Sequence, residues 1–142
     1  MQSDKIYAVI DTNVIVSAFY SRDGLSNPAL VIENVLLNKI IPLYNRDIIL
    51  EYEEVLSRSK FHFPTEIIKR FITTIKTQGI EVCPSEVIEE DFPDPTDIIF
   101  YEVRMSVDDS YLVTGNLRHF PKKPFVVTPA EMVEILRVRK LI

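Results

Sequence analysis

Tyr7-Ala8-Val9-Ile10-Asp11-Thr12-Asn13-Val14 is the stretch that decides how this chain folds. A short apolar run ends abruptly on a carboxylate, and a helix-compatible pattern begins at once behind it. Read physically, this is a buried strand that delivers one acid to the open edge of a sheet. In open α/β sheets, that carboxyl end of the strands is where ligands bind. One such acid proves little, so the rest of the chain must show whether others arrive at element ends beside it.

Outward from Asp11, strand and helix patterns alternate. Residues Ile6 to Ile10 read as the first strand, Asn13 to Tyr20 as a short helix, and Gly24 as part of a loop. Asn27-Pro28 reads as an N-cap and first-turn proline opening a helix through about Asn38. Ile40 to Tyr44 is the second expected strand. Asp47 to Ser57 and Pro64 to Gln78 are helices, the latter closed by Gly79. Ile80 to Cys83 is a third strand, and an acidic, proline-containing loop from Ser85 to Pro95 leads to a helix over Thr96 to Val107. Tyr111 to Thr114 and Phe125 to Thr128 are the last strands, before a helix that starts at Pro129. Near-continuous apolar strands alternating with helices imply a three-layer α/β/α sandwich with a central, mostly parallel sheet of about five strands. No repeat, low-complexity tract or linker divides the chain, so residues 1–142 are expected to form a single domain.

Composition narrows the classes. At 142 residues, 46% apolar and 26% charged, the chain suits one globular core. Its single cysteine, Cys83, allows no intramolecular disulfide, and an intracellular, reducing home is expected. Met1-Gln2-Ser3-Asp4-Lys5 lacks the pattern of a signal peptide, and no run approaches the ~20 apolar residues needed to span a bilayer. A soluble, cytoplasmic protein is the expectation. The net charge of −5 argues against a non-specific duplex binder. It does not exclude nucleic acid, because a cluster of acids that binds metal inflates the negative count.

Each acid has a plain structural use to weigh against chemistry. Asp11 could simply cap the following helix, or it could be a phospho-acceptor or a metal ligand. In the helix Arg46 to Leu56, residues Ile48, Ile49, Tyr52, Val55 and Leu56 form one apolar stripe. At about 100° per residue, Glu54 points nearly opposite that stripe, whereas Glu51 and Glu53 lie on its borders and can reach a site. Asp94-Pro95-Thr96-Asp97 is a good helix start without any chemistry, and Thr128-Pro129-Ala130-Glu131 repeats its grammar. The helix behind Asp97 is nevertheless strongly apolar and should be buried, which would leave an acid at its exposed tip beside a strand end. Asn116 follows a strand that runs into Gly115. It is either an ordinary turn residue or a fourth oxygen ligand.

Taken in order, these segments resemble the PIN-domain family, whose members are mostly metal-dependent ribonucleases, many of them toxins of toxin–antitoxin pairs. The resemblance rests on Val9-Ile10-Asp11-Thr12-Asn13-Val14, Leu50-Glu51-Tyr52-Glu53-Glu54-Val55-Leu56, Asp94-Pro95-Thr96-Asp97 and Leu112-Val113-Thr114-Gly115-Asn116, with His119-Phe120-Pro121 behind them. It implies that the family's acids fall on Asp11, Glu51 and Asp97, with Asp94 as a helper. The fourth position, usually Asp, falls on Asn116, which brings an amide oxygen and no charge. Hard oxygen ligands suit Mg²⁺ or Mn²⁺ and not zinc. Asn13 and Thr114 are further helpers, and Thr12, a substrate contact, and Ser17 are polar neighbours. Arg118, His119, Lys122 and Lys123 either touch the RNA or form a solvated basic loop. The implied activity is hydrolysis of single-stranded RNA by metal-activated water, with single-stranded or structured RNA and a small antitoxin protein as partners and a homodimer as assembly.

Two rivals stand beside it. An aspartyl-phosphate phosphotransferase or receiver-like domain shares the strand-end acid. The phosphatase type carries a second Asp two residues on, where this chain has Asn13, and a receiver would want a late strand-end lysine that is missing. The other rival is a PIN-like RNA- or protein-binding module, with Asn116 as the trace of lost activity.

Overall fold

The structure is a computed structural model that describes residues 5–84, 88 and 90–142. Five strands, β1 (Ile6–Ile10), β2 (Ile40–Tyr44), β3 (Ile80–Glu81), β4 (Ser110–Val113) and β5 (Val126–Val127), form one sheet in the order β3-β2-β1-β4-β5. Every pairing is parallel: Ile6 faces Ile40, Tyr7 faces Ser110, Leu43 faces Ile80, and Val113 faces Val127. In β1, Ala8, Val9 and Ile10 are all buried, and successive strand residues point to opposite faces. Both faces of the sheet are therefore covered, as an α/β sandwich requires.

Among the described residues the cover is six helices: α1 (Thr12–Tyr20), α2 (Asn27–Leu36), α3 (Arg46–Leu56), α4 (Thr65–Gln78), α5 (Ile98–Met105) and α6 (Pro129–Val138). Helix α2 packs on α1, α6 and β2, while α5 packs on β1, β2 and β4. The apolar stripe expected in α3 is buried as read: Ile48, Ile49, Tyr52, Val55 and Leu56 face the core, and Leu50 is exposed. None of the described helices is long and apolar enough to cross a membrane.

Local chemistry moves several expected boundaries. The cap of α2 is Ser26 and not Asn27, because the Ser26 hydroxyl accepts the Ala29 N–H at 3.2 Å. Helix α3 starts at Arg46 because Asn45 accepts the Ile48 N–H at 2.9 Å. Gly79 closes α4, but in extended backbone (φ −89°, ψ −178°) and not in a left-handed turn. What it needs is space: a Cβ there would stand 2.5 Å from the carbonyl oxygens of both Ile75 and Pro42. The helix expected over Thr96 to Val107 is a 3₁₀ turn, Pro95–Asp97, followed by α5, which ends at Met105. Strands β3 and β5 are each two residues, shorter than their apolar runs. Of the expected acidic loop, residues 85–87 and 89 lie outside the described residues, as do residues 1–4.

Candidate active site

The order of strands reverses between β1 and β4: from β1 the chain moves to β2 and β3, and β4 then returns to the other side. Crevices of this kind, at the carboxyl end of a parallel sheet, are where open α/β folds hold ligands. Asp11 and Thr114 are the first residues beyond the two strands. The Asp11 N–H donates to the Val113 carbonyl at 2.9 Å, and the Thr114 N–H to that of Val127 at 2.9 Å.

Asp11 holds the N-cap position of α1, yet its side chain makes no capping hydrogen bond. Its Oδ2 instead accepts from the Thr114 hydroxyl at 2.8 Å and from the Asn13 amide at 3.2 Å. Asn13 Oδ1 accepts the Gly115 N–H at 3.0 Å, and the Thr114 hydroxyl oxygen accepts the Asn116 N–H at 3.0 Å. A Cβ at position 115 would crowd Asn13 Oδ1 at 3.3 Å, so the glycine lets the two loops meet. The loops after β1 and β4 are thus laced together around one carboxylate.

That carboxylate is 5% exposed, and burial lifts its pKa to about 6; the Thr114 hydrogen bond opposes the rise, while Asp97 and Glu51 add to it. Glu51, half-buried on α3, is raised first by burial and then by Glu54, with Asp97 adding to the rise and Arg58 opposing it. Asp97 is raised by burial and then by Asp94, and His119 opposes. Acids from three separate elements therefore feel one another's charge. Tyr52, fully buried on α3, donates its O–H to the Ile10 carbonyl, at the end of the strand that carries Asp11. Burial raises its phenol, and Asp11 and Glu51 raise it further.

On the far side, Asp97 Oδ2 lies 3.1 Å from His119 Nδ1, and the Asp97 side chain is 13% exposed. Among the described residues that oxygen has no hydrogen bond of good geometry, and neither has the buried Thr12 hydroxyl. His119 Nε2 stands 2.9 Å from the Asn116 amide nitrogen. His119 thus bridges Asp97 and Asn116, a place sequence reasoning did not foresee when it read the ring as an RNA contact. Tyr52 was missed as well. Its position in an apolar stripe reads only as core, and nothing local marks its hydroxyl as the support for β1.

The other expected residues separate. Glu53 and Glu54 are exposed, and Glu54 pairs with Arg58 at 2.9 Å. Asp94 is exposed and accepts from the backbone N–H and hydroxyl of Thr96, which lower its pKa, so it starts the 3₁₀ turn. Ser17 is exposed on α1, and Arg118, Lys122 and Lys123 are exposed on the loop after Asn116.

In kind, the donors suit a hard divalent cation: carboxylates, an amide, and a buried Asp97 oxygen left without a good hydrogen bond. In position they are not yet gathered, since among the described residues no three His, Cys, Asp or Glu side chains converge as a ready ligand set.

A family model for the PIN domain matches residues 7–118, a span that includes Asp11, Glu51, Asp97, Asn116, strands β2 to β4 and all of β1 but Ile6. No curated protein and no solved structure gives a significant match. PIN domains are generally nucleases and typically use divalent metals. With the matched span, the parallel five-stranded sheet and acids grouped where its order reverses, the chain belongs to the PIN-domain family.

Proposed function

We propose that this chain is a metal-dependent endoribonuclease that cleaves single-stranded RNA by attack of water, and that it is the cytoplasmic toxin of a toxin–antitoxin pair. The observation that carries the nuclease reading is Asp11. It is a buried carboxylate at a helix N-terminus that caps nothing, and Glu51 and Asp97 raise its pKa further. Such a group costs stability in the free protein, and strongly perturbed acids grouped in a crevice are characteristic of functional sites.

Asp11, Glu51, Asp97 and the Asn116 amide oxygen are the residues that would hold Mg²⁺ or Mn²⁺. When bound, such a cation supplies Lewis acidity toward the phosphate and a water acidified for attack. The chain's own contribution is positional. Thr114 and Asn13 fix the Asp11 carboxylate, Tyr52 anchors the end of its strand, and His119 spans Asp97 and Asn116. Thr12 lies beside the acids, and Arg118, Lys122 and Lys123 supply positive charge to the RNA backbone. Attack by water leaves a 5′-phosphate and a 3′-hydroxyl. Asn116 brings no charge where the family usually has Asp, which favours slow turnover; in its extreme form this is the second reading, a PIN-like module that binds RNA without cutting it. An antitoxin segment that folds into the acidic crevice would block cation and RNA together.

The test is incubation with single-stranded RNA in Mn²⁺, Mg²⁺ or EDTA, beside Asp11→Asn. Cleavage that needs the cation, yields 5′-phosphate ends and disappears in the variant supports the nuclease. Mainly cyclic phosphate ends would sink the mechanism, and RNA bound but uncut by either protein would favour the binding module.

A further inference from the structure

The loop that follows Asn116 carries a second feature, distinct from the acids. From Thr114 to Ala130 the chain has no Asp or Glu, although its net charge is −5. Within that stretch Arg118, Lys122 and Lys123 line a groove of about 500 Å³, floored by Phe120 and Val126 and walled by Leu117, Pro121 and Pro124. The volume falls within the roughly 300–1,000 Å³ usual for ligand pockets. None of the three cations has an ion-pair partner among the described residues. The one acid in the lining, Glu131, already accepts the Thr128 N–H at 2.9 Å. The groove is continuous in sequence with the site: His119 contacts Asp97 and Asn116, while Leu117 and Arg118, between Asn116 and His119, line the groove.

We infer that this groove holds the single-stranded RNA that flanks the scissile phosphate, with phosphates on Arg118, Lys122 and Lys123 and a base against the apolar floor. The inference rests on the nuclease reading and deepens it by naming where the strand runs and how it is selected. Charge complementarity argues for a polyanion: three cations with no ion-pair partner among the described residues attract a phosphate backbone. The lining also limits what can be read. In this arrangement its cationic donors are taken up by phosphates and its apolar floor meets the face of a base, so the grip does not depend on base edges. The subsite therefore selects strands whose bases are unpaired, and it accepts any base.

The experiment measures binding separately from cutting. Fluorescent single-stranded RNA, with all four homopolymers and a duplex of equal length, is titrated by anisotropy into Asp11→Asn and into Asp11→Asn with Lys122→Ala and Lys123→Ala. Salt is varied, and circular dichroism checks folding. Single-strand binding that exceeds duplex binding, differs little among homopolymers, and loses about 1.4 from the log–log salt slope on removal of two lysines supports the groove. An unchanged slope and affinity would overturn it, as would an equal loss on duplex or a strong preference for one base. An unchanged affinity would leave the groove to a protein partner. Cleavage by the wild type in Mn²⁺, assayed in parallel, tells failure of the groove from failure of the nuclease reading. A protein that cuts RNA while its loop variant binds normally overturns the groove alone.

Discussion

Two helical segments begin with the same grammar, a capping residue, a proline and an acid three residues after the cap, and their acids meet opposite fates. In Thr128-Pro129-Ala130-Glu131 the capping box closes: the Thr128 hydroxyl accepts the Glu131 N–H at 3.1 Å, and the Glu131 carboxylate accepts the Thr128 N–H at 2.9 Å. That acid is occupied by its own helix. In Asp94-Pro95-Thr96-Asp97 the cap is made by Asp94 through Thr96, and Asp97 receives nothing from the turn. Its side chain is partly buried instead, against His119 and within reach of the charges on Glu51 and Asp11. A carboxylate free of capping and partly desolvated is available for chemistry, whereas one fixed in a capping box is not. Asp11 makes the same point at α1, as an acid in a cap position that does no capping.

The sharpest way to break this comparison is to neutralise one acid of each kind. Asp97→Asn should lower metal-dependent RNA cleavage by about 100-fold or more, the scale seen when one electrostatic contact to a transition state is removed. Glu131→Gln, in the groove lining but away from the acids, should leave the cleavage rate at saturating RNA unchanged. Initial rates on a labelled single-stranded RNA check both. Equal rates for wild type and Asp97→Asn would end the distinction.

Asp11 extends the comparison to stability. Its folded pKa, about 6, stands above its usual 3.8, so between those values the folded state binds more protons than the unfolded state. Stability from this group is therefore fully present below pH 4 and is lost as pH rises through about 6. Asp11→Asn does not titrate, so at pH 8 it should be more stable than wild type by up to ~3 kcal/mol, from about two pKa units. At pH 4 that difference should vanish. Urea unfolding at both pH values measures it, and a destabilised variant at pH 8 would mean that Asp11 is a structural residue.

The capping box supplies the converse case. Thr128→Ala removes the hydroxyl that accepts the Glu131 N–H and should destabilise the protein by about 1 kcal/mol, with no change in cleavage. Thermal unfolding alongside the RNA assay checks it. Smallest of all is Glu54→Ala, which removes an exposed i,i+4 pair with Arg58 and should shift stability by no more than ~0.5 kcal/mol. If it altered cleavage strongly, the assignment of Glu51 as the site's glutamate on α3 would need to be reconsidered.

What the sequence determined by itself is what short-range physics governs. The apolar run Ile6 to Ile10, the stripe Ile48, Ile49, Tyr52, Val55 and Leu56, and the Thr128 capping box are each written within a dozen residues, where periodicity and hydrogen bonding to neighbours decide the outcome. The helical faces of Glu51 and Glu54 were legible for the same reason. Only the tertiary structure decided which acids lie near one another and which are tied up in capping. Asp11, Glu51 and Asp97 come within reach of one another's charge, and His119 contacts Asp97, because β4 returns beside β1, α5 packs across both and α3 packs on α5, and no local pattern encodes a strand order. It also decided that Gly79 serves close packing against Pro42, that Tyr52 supports β1, and that His119 bridges Asp97 and Asn116. Those roles depend on burial and on partners as many as 42 residues away, and such contacts exist only once the sheet has formed.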